Sequence, residues 1–242
     1  MSERLVNKVL LVSGAGPAVS SAIACRALDC GAEAVLVAHD PGSRDAAESA
    51  LAGTGAQLVA HNRAEPGAWP KLYDRLESES RLPDILVNGC YAHHAGTLAE
   101  TSLEQFSQAL QSNLTAAFFG TQTAVVRLRA AGRKGAIINM SSVFADRALA
   151  GTAAYAASAG GIRSLSKSAA LACAEAGDGI HIHTVLTGHY EGGPGLPAGG
   201  DPLLDGRISV GEVAALVVQL AGDGATYTHG SAVTLDGGLW IS

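Results

Sequence analysis

Residues 9–30 read VLLVSGAGPAVSSAIACRALDC, and this stretch decides the fold class. Residues 9–12 form a continuous apolar run, which is typical of a strand buried on both faces of a parallel sheet. Gly14 and Gly16 indicate a tight turn, and residues 19–30 are predicted to form a helix that Gly31 ends. A strand, a glycine turn and a helix in this order predict the first unit of an α/β nucleotide-binding fold.

The same alternation of strand and helix continues along the rest of the chain. Further strands are predicted over residues 34–38, 57–60, 85–88, 136–140, 180–186 and 231–235, and further helices over residues 44–52, 69–79, 103–129, 153–176 and 210–221. This order predicts a Rossmann-like, doubly wound parallel sheet of about seven strands with helices on both faces. Because no repeat, linker or change of composition divides the sequence, residues 1–242 are interpreted as a single domain.

The composition restricts the kinds of partner. Hydrophobic residues make up 48% and charged residues 16%, and the formal net charge is −6 without clusters of lysine and arginine, so no nucleic-acid surface is expected. The sequence shows neither a signal peptide nor an apolar run of membrane-spanning length, and no membrane association is expected. The four cysteines form no CxxC pair, which favours reduced thiols and a cytoplasmic location.

Polar residues follow the predicted strands at one edge of the sheet, where ligands of such folds bind. Among them, Ser142 follows the fifth strand, and Tyr155 comes thirteen residues later in the first turn of the next helix. A serine hydroxyl that donates to a carbonyl and a tyrosine that exchanges a proton with it make a plausible acid–base pair. Taken alone, a serine-rich strand exit and a partly buried tyrosine are the simpler interpretation.

The wider spacing resembles the short-chain dehydrogenase/reductase family along nearly the whole chain. The matching features are the glycine turn over residues 13–20, Asn88 after the fourth strand, Asn113 within the long helix, Ser142 with Tyr155, Gly188, and the closing segment VTLDGG at residues 233–238. The resemblance implies an NAD(P)-dependent oxidoreductase of hydroxy and keto compounds, hydroxyacyl compounds among them. It implies catalytic roles for Ser142, Tyr155 and Asn113, and cofactor contacts from Gly14, Gly16, Ser20, His39, Asn62, Asn88 and Gly188. It also implies an oligomer, a tetramer in related proteins, built through the helices over residues 103–129 and 153–176.

One departure from the family affects the mechanism directly. Family members carry a lysine four residues after the tyrosine, whereas Ala159 stands there in this chain. A free tyrosine has a pKa near ~10, and a neighbouring cation favours its ionised form. Arg163 and Lys167 lie about 12 Å and about 18 Å further along the same helix, too far to replace the lysine easily. Arg147, in the preceding loop, remains a candidate.

Other departures lie where a dinucleotide would bind. Ala18 and Ser20 stand where the family has glycines, and Pro17 removes one N–H donor from the helix start. Ala38 takes the place of the acidic residue at the end of the second strand, and Tyr91 replaces a glycine after the fourth. These differences argue against efficient dinucleotide binding by this chain.

The sequence gives less support for a functional role of two histidine pairs. His181 and His183 share a face of one strand, but the spacing shows no third ligand, so no metal site is predicted. His93 and His94 follow the fourth strand and are interpreted as loop polarity instead of a substitute base.

Three interpretations of function remain open. The first, which the departures favour, is a catalytically impaired subunit, a pseudoenzyme that forms a homo- or hetero-oligomer and partners an active homologue. The second is an active NAD(P)-dependent alcohol/ketone oxidoreductase with a non-standard Ser142–Tyr155 site. The third is a cofactor-free lyase or proton-transfer enzyme that uses the same pair. The sequence does not define a substrate.

Overall fold

The first strand and helix form where the sequence predicts them. In the computed structural model, strand β1 (Val9–Ser13) is buried along its length, and helix α1 (Pro17–Asp29) follows the turn. Gly14 and Gly16 have φ angles of 82° and 80°, a conformation that glycine adopts without strain. Pro17 suits the first helical position, because an N–H group there has no partner within the helix. The turn therefore follows directly from the local sequence.

The structure describes residues 5–14, 16–38, 41–89, 92–94, 96–195, 197, 202–204 and 206–242. Within these ranges the other strands are β2 (Glu33–Ala38), β3 (Gln57–Ala60), β4 (Ile85–Asn88), β5 (Gly135–Ser142), β6 (Ile180–Thr187) and β7 (Ala232–Leu235). The other helices are α2 (Pro41–Leu51), α3 (Ala68–Ser78), α4 (Leu103–Leu110), α5 (Ala116–Ala130), α6 (Ala153–Ala176) and α7 (Val210–Ala221). Among the described helices, none combines the length and the apolar character that crossing a membrane requires.

The seven strands form one parallel sheet in the order β3-β2-β1-β4-β5-β6-β7. Apolar side chains cover both of its faces, with α1 and α7 packed on one side and α3 and α5 on the other. The predicted doubly wound α/β fold is thereby confirmed. The strand order reverses between β1 and β4, so a crevice opens at the carboxyl ends of these strands.

The helix predicted over residues 103–129 contains an irregular turn. A π-helical turn at Gln111–Thr115 joins α4 to α5 and carries Asn113, which is buried. Such a turn holds an extra residue and often occurs at functional sites. The hydrophobic spacing did not show it, because α5 packs largely through small residues such as Ala117, Gly120 and Ala124.

Below the edge of the crevice, a buried polar network connects two strands with two helices. The side-chain amide of Asn88 donates to Oδ1 of Asn139 at 2.9 Å and to the hydroxyl of Thr121 at 3.3 Å. Asn139 in turn donates to Ser166 of α6 at 2.9 Å. A β-carbon at Gly120 would lie 2.6 Å from Oδ1 of Asn88, so glycine is needed for α5 to approach this network.

His183 makes the stability of the fold depend on pH. This β6 side chain is buried, its Nδ1 donates to the carbonyl of Thr228, and burial lowers its pKa to about 4. The unfolded chain, with an ordinary histidine pKa near ~6.5, therefore binds a proton more tightly than the folded chain between these values. The contribution of neutral His183 to the free energy of unfolding is fully present above this pH window and is lost as the pH falls through it.

Replacing His183 with Gln should reduce that loss of stability. From pH 7 to pH 5, the free energy of unfolding measured in urea should fall by about 1–2 kcal/mol more for the wild type than for His183→Gln. Changing the exposed His94 to Gln serves as the control and should leave the wild-type slope. Equal pH slopes for the wild type and His183→Gln would contradict the assignment.

Candidate active site

A cavity of about 510 Å³ opens at the carboxyl ends of β1 and β2. Of the predicted catalytic and cofactor-binding residues, Gly14, Gly16, Ser20, Asn62 and Asn113 line it. Asn62 also stabilises its own turn, because its Oδ1 accepts the N–H of Ala64 at 3.2 Å. The crevice predicted from the strand order therefore exists and reaches from the glycine turn to the π-helical turn.

The remaining predicted site residues occupy different surroundings. The Asn88 amide belongs to the buried network that joins β4 to β5, α5 and α6. Gly188 follows β6 and packs against Asp236, since a β-carbon there would lie 3.0 Å from the Asp236 backbone. His39 and Tyr91 lie outside the described residues. The cofactor contacts expected from Asn88, Gly188 and His39 stay predictions.

Tyr155 lies in the first turn of α6 and is buried in an apolar cluster. Its neighbours in that cluster include Phe144, Ile162, Leu186 and Ala159. Ala159, one helical turn further on, is fully buried, and its carbonyl accepts the hydroxyl of Ser141 at 2.9 Å. Position 159 is therefore an apolar packing contact.

Ser142 is the last residue of β5, and its hydroxyl is held by the backbone. It donates to the carbonyl of Thr187 at 3.2 Å and accepts the N–H of Phe144 at 3.3 Å. A serine hydroxyl has a single proton to donate. In this arrangement the proton stabilises the junction of β5 and β6, and Ser142 must release Thr187 before it can donate to a substrate.

Asn113 connects the helices to the segment after β4. Its side-chain amide donates to the carbonyl of Ala92 at 2.8 Å, and its Oδ1 accepts the Ala92 N–H at 3.0 Å. The same amide donates to Ser158 at 3.0 Å, and Ser158 donates to the carbonyl of Tyr155 at 2.7 Å. Asn113 therefore fixes Ala92 and the first turn of α6 relative to each other.

His93, the residue after the fixed Ala92, packs against the ring of Tyr155. The ring centroids are 5.7 Å apart and the planes meet edge to face at 77°. Both ring nitrogens are buried, and neither has a hydrogen-bond partner within the described chain. Burial, and secondarily the neighbouring His94, lower the pKa of His93. The sequence interpretation of His93 as loop polarity missed this contact, since the two rings are sixty-two residues apart in the chain.

The sequence analysis also did not identify Arg63, the residue after the predicted Asn62. Its buried guanidinium donates to the carbonyls of Ser13 at 3.0 Å and Gly89 at 2.8 Å, and to that of Ser112 in the π-helical turn. It covers the α-carbon of Gly14 so closely that a β-carbon there would lie 1.0 Å from Nη1. Arg63 thus joins β1, β4 and the π-helical turn across the crevice.

Of the three cations that the sequence analysis considered near Tyr155, Arg163 and Arg147 have other partners. Arg163 pairs with Asp146 and lies 5.9 Å from the ring centroid of Trp240. Arg147 donates to the hydroxyl of Ser242 at 2.9 Å. Both side chains are therefore engaged near the end of the chain.

Comparison with known proteins identifies the family. A family model described as Enoyl-(Acyl carrier protein) reductase matches residues 14–240. The chain is 29% identical over 252 residues to the NADP-dependent (R)-specific alcohol dehydrogenase of Lentilactobacillus kefiri, with 98% of each chain covered. It is 32% identical to the 3-alpha-(or 20-beta)-hydroxysteroid dehydrogenase of Mycobacterium bovis, covering 98% of this chain and 91% of the relative.

Solved structures agree with this assignment. A mutant short-chain dehydrogenase/reductase of Serratia marcescens superposes with a TM-score of 0.84 at 25% identity, covering 98% of this chain and 99% of that chain. A short-chain dehydrogenase of Mycobacterium smegmatis gives a TM-score of 0.81 at 26% identity, covering 95% of this chain and 92% of that chain. The chain belongs to the short-chain dehydrogenase/reductase family.

Proposed function

We propose that this chain is a catalytically impaired subunit of an NAD(P)-dependent oxidoreductase system for hydroxy and keto compounds, hydroxyacyl compounds among them, and that it partners an active homologue. The observation that carries the proposal is the fully buried, apolar Ala159 one turn after Tyr155. A neighbouring cation favours the ionised form of a tyrosine, and the methyl group of Ala159 supplies no such charge. Ser142 supports the same conclusion, because the backbone holds its proton.

The contacts at the glycine turn do not fit a dinucleotide bound in the usual way. Such a ligand needs a close approach to the glycine backbone and to free N–H groups at the helix start. Here the Arg63 guanidinium covers Gly14, and Pro17 offers no N–H group. The methyl group of Ala18 also lies 3.0 Å from where a β-carbon of Gly192 would stand, so the chain after β6 packs on the helix start. We infer that NAD(P) is held by the active homologue.

Exposed apolar side chains support an oligomer, either homo- or hetero-oligomeric and a tetramer in its expected form. On α5, Phe118 is 40% and Val126 is 58% exposed, and Leu171 of α6 is 60% exposed. Apolar groups gathered on exposed faces commonly mark protein contacts. A cytoplasmic location belongs to the same proposal and agrees with the free thiols of Cys25 and Cys173.

Calorimetric titration with NAD(H) and NADP(H) tests the proposal. Purified protein should show no heat of binding at micromolar concentrations, and it should co-purify from its native cells with a homologue that carries the Tyr-x-x-x-Lys motif. Micromolar binding together with reductase turnover by the chain alone would contradict the impaired-subunit assignment. A known active family member, titrated in parallel, serves as the positive control.

A further inference from the structure

A second cavity, of about 450 Å³, opens at the amino ends of the strands, at the opposite end of the sheet from the crevice. Ile85, Ala136 and His181 lie side by side in the register of β4, β5 and β6 and form part of its wall. The last residues of α7, Leu220 and Ala221, line it with buried apolar side chains. The proposed function uses only the carboxyl ends of the strands, so it assigns this cavity no role.

Three nitrogen-bearing side chains that a dissolved ligand can reach line the cavity. Lys8 directly precedes β1 and Lys134 directly precedes β5, so the two positions are separated by two strand spacings, or about 10 Å. Lys134 is exposed, and Lys8 and His181 are partly exposed. Neither lysine forms an ion pair with any other residue that the structure describes. Both ammonium groups are therefore available to a ligand.

Packing and charge place Lys134 beside His181. A β-carbon at Gly179 would lie 2.8 Å from Cγ of Lys134, so this glycine leaves room for the lysine stem. Burial is the largest cause of the lowered pKa of His181, and His229 and the positive charge of Lys134 lower it further. The Nδ1 atom of His181 is buried, whereas Nε2 is not among the buried atoms and makes no hydrogen bond within the described residues. Nε2 is therefore the ring atom that can meet a ligand.

The acidic groups at this cavity leave a positive balance of charge. Asp84 also lines it, but one carboxylate oxygen accepts the N–H of Val9 at 2.9 Å and the other pairs with the guanidinium of Arg133. Asp223 is the other carboxylate among the described lining residues, and it faces two lysines. A chain of net charge −6 thus carries a locally positive cavity. An anion is attracted more strongly in such a recess than on an open surface, because water and salt screen the charges less there.

We propose that this cavity binds a small organic oxyanion, a phosphate ester or a carboxylate that carries an apolar body. Lys8 and Lys134 donate charge-assisted hydrogen bonds to the oxyanion, and His181 adds a third contact through Nε2. The apolar body packs against the wall that Ile85 and Leu220 contribute, as in other pockets where a few polar groups orient a ligand on an apolar surface. The site goes beyond the proposed function and does not depend on it.

Calorimetric titration with phenyl phosphate, benzoate and phenol tests this site. Phenol has the same ring but is neutral at pH 7, so it reports binding without the oxyanion. The wild type should bind at least one of the two anions at least about tenfold more tightly than phenol. Lys8→Gln and Lys134→Gln should each weaken that binding about tenfold, the effect of losing one hydrogen bond between charged groups. The anion that binds more tightly identifies the head group as phosphate or carboxylate.

The matched control is Lys167→Gln, which removes one exposed lysine charge from α6 away from the cavity and should keep the wild-type affinity. NMR of the histidine rings locates the bound anion, because the His181 signal, assigned with His181→Gln, should shift during the titration. Circular dichroism checks the fold of every variant, and lysine-to-methionine changes at positions 8 and 134 provide second substitutions.

Three results would overturn the proposal. The first is that neither anion binds more tightly than phenol at millimolar concentrations. The second is that folded Lys8 or Lys134 variants keep the wild-type affinity, or that Lys167→Gln weakens binding equally. The third is that the His181 signal stays in place while an anion binds. None of these results bears on the impaired-subunit proposal, which the titration with NAD(H) and NADP(H) tests independently.

Discussion

Ala159→Lys alone is expected to give no NAD(P)H-dependent reductase activity and to lower the melting temperature by roughly 5–10 °C. Ala159 is fully buried in the apolar cluster that also contains Tyr155, Ile162 and Leu186. Three further carbon atoms and an ammonium must enter this cluster, and overpacking of this kind costs about 1–3 kcal/mol before the charge is considered. Even a lysine that is accommodated leaves Arg63 across Gly14, so the turn remains covered.

The measurement combines a spectrophotometric assay with thermal unfolding. NADH and NADPH oxidation is followed with a panel of ketones, and the melting temperature is taken from circular dichroism. Ala157→Lys, on the exposed side of the same helix, is the matched control and should unfold within about 2 °C of the wild type. Reductase turnover produced by Ala159→Lys alone would refute the argument that the glycine turn is blocked.

Arg63→Leu is expected to have two opposite effects, a loss of stability and a gain in dinucleotide affinity. The guanidinium donates to the carbonyls of Ser13, Gly89 and Ser112, so its removal leaves buried acceptors unpaired. Hydrogen bonds to charged groups contribute about 1.5–3 kcal/mol, and we expect a total loss of roughly 2–4 kcal/mol after relaxation. Because leucine no longer covers Gly14, binding of NAD(H) or NADP(H) should strengthen at least about tenfold, or about 1.4 kcal/mol.

Urea unfolding and calorimetric titration measure these two effects on the same samples. Arg44→Leu is the control, because Arg44 makes an exposed pair with Glu48 of the kind that contributes little to stability. It should change neither quantity appreciably. If Arg63→Leu binds dinucleotides no better than the wild type, the guanidinium is not what closes the turn.

Much of the fold was predictable because strands and helices depend on local pattern. The predicted bounds of α6 and α7 match the structure residue for residue, and β3 and β4 agree as well. Long apolar runs fix the strands, and glycines end the helices. The π-helical turn was not predictable, since one inserted residue in a helix lined with small side chains barely alters the hydrophobic spacing.

The site was predictable where it depends on spacing and unpredictable where it depends on long-range contact. The distance from Ser142 to Tyr155 and the alanine at position 159 are visible in the sequence. The contact of His93 with Tyr155 and the reach of Arg63 across the crevice join residues some fifty to sixty positions apart. The local sequence does not distinguish these side chains from those of other loop residues, because their contacts exist only in the folded sheet.

The π-helical turn at Gln111–Thr115 also sets the rotational phase between α4 and α5. Each residue rotates an α-helix by about 100°. The π-helical turn absorbs one extra residue, whereas an insertion or deletion between this turn and Gly120 would carry Gly120 away from Asn88 by that angle. Exposed side chains along this segment can therefore vary over evolutionary time, whereas the number of residues between the turn and Gly120 cannot.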